Sequence, residues 1–360
     1  MVYVGVGVNP VLGMCGTHHD LIRFRIIWSS SVAESIKDRM ERRTAGLVTH
    51  PDYAQTIDDT GTMNEPGMAM RLRTLRNNTR LPMRYRQLEE LGNGTFGHVY
   101  KALDYDSGKH MAVKVIFRKP GQTNKSWAKM HREVKNLDHT NHKHIIGLIW
   151  SQDWDTPKAE IFLSLKHGNL GDLARQHRQD SRDQIVALCN TMFFHMLQAL
   201  DYLQYNGLIH RDVKPDNILY TLNQGVYEFC LGDFGVSSTI HCAKTFSGTT
   251  AYMAPEVAFH KTQTPKVDVS SLYATILSVL NEGCYNDMDM NEQLANYPVV
   301  QDTILRIAAD KTKADLYPLR FMAAQDPVQR ASAAQMLCLL FQGVGLTTPR
   351  HKVTPIKTET

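Results

Sequence analysis

The feature that most constrains this chain is an ordered set of short strings. His210-Arg211-Asp212-Val213-Lys214-Pro215-Asp216-Asn217 is followed, sixteen residues after Asn217, by Asp233-Phe234-Gly235. Upstream lie Gly92-Asn93-Gly94-Thr95-Phe96-Gly97-His98-Val99 and then Ala112-Val113-Lys114. Any one of these strings could occur by chance. It is their order and spacing together that narrow the possible architectures.

Composition sets wide bounds. A chain of 360 residues can bury a large core and form one large or two modest domains. The formal net charge of +4 is small for this length and argues only weakly for a nucleic-acid partner, which is not expected. Cys15, Cys189, Cys230, Cys242, Cys284 and Cys338 show no C-x-x-C spacing. They read as reduced thiols of an intracellular protein, cytoplasmic or nuclear, and not as a disulfide frame or zinc site. No run of apolar residues is long enough for a membrane span, and Met1–Gly16 lacks the positive leader of a signal peptide.

Residues 1–82 differ from the rest. Ser31-Val32-Ala33-Glu34 has capping-box spacing and could start a helix through Met40. Thr49–Met70 is rich in Pro, Gly, Asp and Thr without an apolar period, which predicts a linker. Arg71, Arg73, Arg76, Arg80, Arg84 and Arg86 form a basic run. It reads first as a solvated lead-in, with a pseudosubstrate or a docking or import patch as sharper alternatives. From Tyr85 the pattern changes. Tyr85–Glu90, His98–Tyr105, Met111–Arg118, Ile145–Ser151 and Glu160–Leu165 predict strands. Met130, Val134 and Leu137 give Trp127–Asp138 a helical period. After Gly168 the chain reads as mainly helical, with a long helix around Ile185–Gln204. Periodicity alone implies an α+β protein with two lobes.

The strings together resemble the signature set of eukaryotic protein kinases of the serine/threonine type, from about Arg84 to about Phe341. The resemblance implies a bilobal fold, with a small β-rich lobe at about 83–165 and a larger helical lobe at about 169–343. Residues 1–82 would then be a largely disordered extension and 344–360 a disordered tail. It also implies ATP and Mg²⁺ as cofactors, protein substrates, and an upstream kinase as a possible partner. Phosphoryl transfer needs the triphosphate positioned, its charge neutralised and the acceptor hydroxyl aimed in line. Gly92, Gly94 and Gly97 would let a hairpin close over phosphates where side chains would clash. A lone glycine string also fits an ordinary hairpin or a dinucleotide fingerprint. The latter sits between a strand and a helix, whereas the residues after Gly97 alternate like a strand.

Residue by residue, the resemblance gives Lys114 the α- and β-phosphates and an ion pair with Glu133, nineteen residues on. Leu91, Asn93, Thr95, Phe96, His98, Val99, Ala112 and Leu219 complete the nucleotide pocket. Asp212 is the expected base or hydroxyl-orienting group, and Lys214 would neutralise the transferring phosphoryl. Asn217 and Asp233 would bind Mg²⁺, which takes oxygen ligands and keeps waters. Ala254-Pro255-Glu256 resembles the end of an activation segment, with Glu256 paired to Arg330 in a buried ion pair. Thr245 is the expected activating phosphosite, facing Arg211. Lys214 and Thr249 together match the serine/threonine-specific form, and the activation segment looks most like kinases of protein-kinase cascades.

Two stretches depart from the family. Its usual Asp-x-Trp-Ser-x-Gly is here Asp268-Val269-Ser270-Ser271-Leu272-Tyr273. The loop-clamping aspartate is kept, but tryptophan has become Ser270 and glycine Tyr273. The hinge, Ile161–His167, lacks the usual Glu-Tyr pair, and the gatekeeper falls between Leu163 and Leu165. Asp172 could reach a ribose or cap a helix. The rival readings are a catalytically impaired kinase-like scaffold, a small-molecule phosphotransferase and, weakest, a nucleic-acid binder. A scaffold usually lacks one of the Lys, Asp or metal-ligand positions, all present here. The small-molecule enzymes lack the Ala-Pro-Glu string.

Overall fold

In a computed structural model of the chain, the described residues are 82–94, 97–118, 121, 123–124, 127–128, 130–131, 134, 140–234, 238–239, 250–282 and 297–356. The chain divides into two units, Met1–Glu65 and Pro66–Thr360, and every described residue belongs to the second. The helix expected from Ser31, the Thr49–Met70 linker and the arginines up to Arg80 lie outside the described residues.

Strands β1 (Tyr85–Gly94), β2 (Gly97–Asp104), β3 (His110–Phe117), β4 (Leu148–Gln152) and β5 (Lys158–Ser164) form one antiparallel sheet in the order β1-β2-β3-β5-β4. Side chains alternate across a strand, and β3 is buried on both faces. Met111, Val113 and Val115 pack with Met83, Ala102 and Phe162. Ile116, two positions on from Lys114, packs with Ala159, Ile161 and Trp154 and with Trp127 and Val134 of the helical stretch near 127–134. The indole of Trp127 donates to the Trp154 carbonyl at 2.8 Å. The sheet therefore holds that helical stretch and Lys114 on related positions of one strand.

Beyond β6 (Gly168–Asn169), helices α1 (Leu170–Gln176) and α2 (Arg182–Tyr205) begin the second lobe. Asn169 caps α1 by accepting from the Asp172 N–H at 2.8 Å, and Asp172 accepts in return from the Asn169 amide. The N-cap is thus Asn169, and Asp172 stands in the first turn of α1 as its hydrogen-bonded partner. Ser181 and Gln184 close a capping box at the start of α2. Cys189, Met192, Phe193, Met196, Leu197, Leu200 and Leu203 give α2 one buried stripe at helical spacing. After β7 (Leu208–Ile209), the hairpin β8 (Ile218–Asn223) and β9 (Val226–Leu231) was absent from the expected elements. Its signal is the Gln224-Gly225 turn, where both residues have positive φ, 49° and 81°, as a two-residue hairpin turn requires. The two-residue β10 (Ser238–Thr239) pairs with β7. The short α3 (Pro255–Ala258) precedes α4 (Lys266–Val279), which is buried almost all round, and α5 (Tyr297–Ala309) and α6 (Ala333–Phe341) complete the lobe.

The unstructured tail expected over 344–360 is corrected for residues 344–356. Leu346 and Ile356 pack against the main core. The Thr347 and Thr348 N–H groups donate to Asp201 at 2.7 and 3.0 Å, and Gln335 donates to the Thr354 carbonyl at 2.8 Å. Low apolar content hid this, because polar backbone contacts, not an apolar stripe, hold the segment.

The departures in α4 have a visible result. Ser270 stays half-buried, whereas Tyr273 is completely buried and its hydroxyl has no hydrogen-bond partner. Burial pushes that phenol well above its ordinary pKa. An unmet buried hydroxyl costs about 1–3 kcal/mol. Tyr273→Phe should therefore raise the free energy of unfolding by about 1 kcal/mol in a denaturant titration, where a loss of stability would reveal a bond that the hydroxyl makes.

Candidate active site

The glycine hairpin is fixed by pairing: Gly92 faces Val99, Asn93 faces His98 and Gly94 faces Gly97. Thr95 and Phe96 at its tip lie outside the described residues. Gly97 has a φ of 142°, and a Cβ there would fall 2.0 Å from the Val115 carbonyl oxygen. Only glycine lets β2 approach β3 so closely. That approach sets Val99 opposite Lys114, while Ala112 lies opposite Leu163. Leu91 is exposed and His98 half-buried, with His98 beside the Glu90 carboxylate at 3.0 Å.

Lys114 reaches across the cleft and donates to Asp233 Oδ1 at 2.5 Å. Glu133, the other expected partner of Lys114, lies outside the described residues, as does Thr245. Opposite, Asp212 Oδ2 meets Lys214 Nζ at 3.0 Å and accepts from the Asn217 amide at 2.8 Å. Asn217 donates also to the Asp212 carbonyl at 2.8 Å, so its amide nitrogen is committed and its oxygen remains as a ligand atom. The two clusters are joined at Gly232, whose N–H donates to the Asn217 carbonyl at 2.7 Å and whose carbonyl lies 2.8 Å from His210 Nε2. A Cβ on Gly232 would meet Leu219 at 2.9 Å, so Leu219 packs directly against that junction.

The loop carrying Asp212 is gripped from below. Asp268 of α4, fully buried, accepts from the His210 N–H at 2.8 Å and the Arg211 N–H at 2.7 Å. Burial drives its carboxyl above the ordinary range, against the opposing pull of His210 and those two N–H groups. Arg211 and Asp233 have left-handed backbones, with φ of 71° and 48°. Such conformations cost energy and persist only where the surroundings over-determine them. The His210 ring stacks edge-on against Phe234 at 4.7 Å, linking the two strained turns. Glu256 and Arg330 meet in two parallel bonds of 2.6 and 3.0 Å, with Arg330 also donating to the Ala324, Gln325 and Lys266 carbonyls.

Sequence reasoning passed over a histidine cluster behind the strand that leads to Asp233. His144 and His195 stack at 4.0 Å. His144 Nδ1 lies 2.8 Å from the Phe229 carbonyl, and the Phe229 N–H donates to His195 Nδ1 at 3.2 Å. The His144 carbonyl accepts from the Leu231 N–H at 2.9 Å. Spacing in His142-Lys143-His144 hints at a special loop, but nothing local points to His195, which is fifty-one residues further on.

The Protein kinase domain family matches residues 85–341. Serine/threonine-protein kinase TAO2 of Xenopus laevis is 33% identical over 224 residues, covering 61% of this chain and 21% of its own length. Serine/threonine-protein kinase 1 of Arabidopsis thaliana is 30% identical over 262 residues, 71% of this chain and 30% of its own. Serine/threonine-protein kinase SSK22 of Saccharomyces cerevisiae is 28% identical over 283 residues, 71% and 21% respectively. The chain thus spans between a fifth and a third of the length of these relatives.

The histidine cluster predicts a pH dependence. Burial, with the nearby charge of His144, holds His142 and His195 down at about 4. Burial also lowers His144. Unfolded histidines titrate at about 6.5. The folded state's advantage from the neutral His142 and His195 rings is therefore complete above about 6.5, shrinks as pH falls through that range, and is lost below about 4. Denaturant midpoints should fall across that window, and His195→Gln should flatten the slope. Equal slopes in the two proteins would place the acid sensitivity elsewhere.

Proposed function

Because the chain belongs to the protein kinase family, we propose that it transfers the γ-phosphoryl group of ATP to serine and threonine hydroxyls of proteins. One observation carries this reading. Lys114–Asp233 and Asp212–Lys214–Asn217 form two polar clusters of one cleft, tied together at Gly232.

Each side chain has work it can do there. Asp212, held by Lys214 and Asn217, presents a carboxylate oriented to accept the proton of an incoming hydroxyl. Lys214 sets a positive charge beside it, where the transferring phosphoryl group gathers negative charge. Lys114 supplies a cation beneath the glycine hairpin for the phosphates that remain on the nucleotide. Asp233 and Asn217 fit a Mg²⁺ ion, because the donor set is a carboxylate and an amide oxygen, and phosphate and water oxygens can complete the octahedron. Among the described residues no cluster of three His, Cys, Asp or Glu could hold a metal without such help. Bound there, Mg²⁺ neutralises phosphate charge.

Serine/threonine selectivity is supported by Lys214 and by the names of the relatives. Thr245 remains the proposed activating phosphosite, with Arg211 as the cation for its phosphate. A scaffold reading has no missing group to rest on. Among the described residues no helix is long and apolar enough to cross a membrane, and Cys189, Cys230 and Cys338 are free thiols. An intracellular setting, with protein substrates and an upstream kinase as partners, fits those thiols.

The deciding assay is incubation of purified protein with γ-labelled ATP and Mg²⁺, followed by acid hydrolysis. Phosphoserine and phosphothreonine should dominate. Asp212→Ala should retain nucleotide binding and lose about 10²–10⁴ in rate, and Asp233→Asn should lose Mg²⁺-dependent nucleotide binding. Wild-type turnover in both variants, or mainly phosphotyrosine as product, would contradict the reading.

A further inference from the structure

The family match ends at 341, yet residues 344–356 continue as a strap across the second lobe. Its main anchor is Asp201, a fully buried carboxylate on α2. The hydrogen bonds to that carboxylate come from the strap: Thr347 N–H at 2.7 Å and Thr348 N–H at 3.0 Å to Oδ2, and the Thr348 hydroxyl at 2.5 Å to Oδ1. The lower anchor is Gln335, which donates to the carbonyl and, at 3.3 Å, the hydroxyl of Thr354. A cavity lined by Phe321, Arg330, Gln335, Lys352, Thr354 and Ile356 lies beneath the strap. The strap is held by these polar bonds together with Leu346 and Ile356, which pack against the main core.

Thr348 is followed by Pro349, which removes a backbone donor and keeps Thr348 extended. An extended hydroxyl residue before proline is an acceptor for protein kinases that accept proline in the next position. We propose that Thr348 is a phosphorylation site, and that phosphate there releases the strap from α2. In the step, a proline-tolerant protein kinase uses ATP. The bond from the γ-phosphorus to the ADP oxygen breaks, a bond to Thr348 Oγ1 forms, and the hydroxyl proton passes to that kinase's catalytic carboxylate. The product has lost its donor to Asp201. It carries about −1.5 to −2 of charge on the very oxygen that touched a buried carboxylate. The docked strap cannot accommodate this, so modification occurs on the undocked population and retains it there. Thr354-Pro355 supplies an internal comparison: Thr354 is exposed and faces the neutral Gln335, so phosphate there leaves the Asp201 anchor intact.

The test treats the full chain with a proline-directed kinase and ATP, maps sites by mass spectrometry, and follows hydrogen exchange over 346–356. Gln335→Ala loosens the lower anchor without touching Asp201. Phosphate should appear at Thr348, sooner in Gln335→Ala than in wild type. Exchange at Thr347 and Thr348 should then speed up by about ten- to hundredfold, the loss expected for hydrogen bonds to a charged acceptor. Thr348→Val, phosphorylated only at Thr354, should keep its Thr347 N–H protected against any further increase. Three outcomes would overturn the proposal: no phosphate at Thr348 even in Gln335→Ala, Thr348 phosphorylated with unchanged protection, or equal release from Thr354 alone.

Discussion

Two hydrogen bonds to one buried carboxylate hold the cleft in shape. Asp268 sits inside α4, a helix buried almost all round, and takes the N–H groups of His210 and Arg211. A buried carboxylate is costly unless its lone pairs are met. Here they are met only when the loop takes the left-handed turn at Arg211. The cost of that turn is thus offset by the carboxylate it satisfies. From this grip the geometry passes outward: His210 holds the Gly232 carbonyl and Phe234, Gly232 holds Asn217, and Asn217 holds Asp212. Asp212 and Asp233, which are twenty-one residues apart in sequence, are positioned by the same buried point.

The first lobe contributes by a different device. Strand alternation places Lys114 and Ile116 on one side of β3, the side that also meets the helical stretch near 127–134. Gly97 lets the hairpin backbone lie directly against β3. The lysine is thereby delivered to Asp233 with little freedom. Glu256 and Arg330 anchor the far side of the second lobe, where a buried pair with full hydrogen bonding fixes one arrangement even if its net contribution to stability is small.

Much of the site was legible in the sequence because its chemistry is local. Asp212, Lys214 and Asn217 lie within six residues, so a short loop is enough to bring their side chains together. Strands β1 to β3 and α2 were legible because alternation and helical spacing survive in single segments. What escaped was relational. The β8–β9 hairpin has mixed polarity and shows itself only through the Gln224-Gly225 turn. His144 and His195 matter because two distant segments meet at Phe229. The strap looked like a tail because its anchor, Asp201, lies 147 residues away on another element. Tyr273 stood out as a departure from the family, but that its hydroxyl would go unmet could be seen only in the packed core.

The claim on which the rest hangs is that Asp268 positions the loop for phosphoryl transfer. The most direct measurement is Asp268→Asn, which keeps the shape of the side chain but turns one of its two acceptors into a donor facing a backbone N–H. Turnover of labelled ATP on a protein substrate should fall by about 10²-fold, the usual effect of a small misplacement of reacting groups. Unchanged turnover in a folded Asp268→Asn protein would contradict the account.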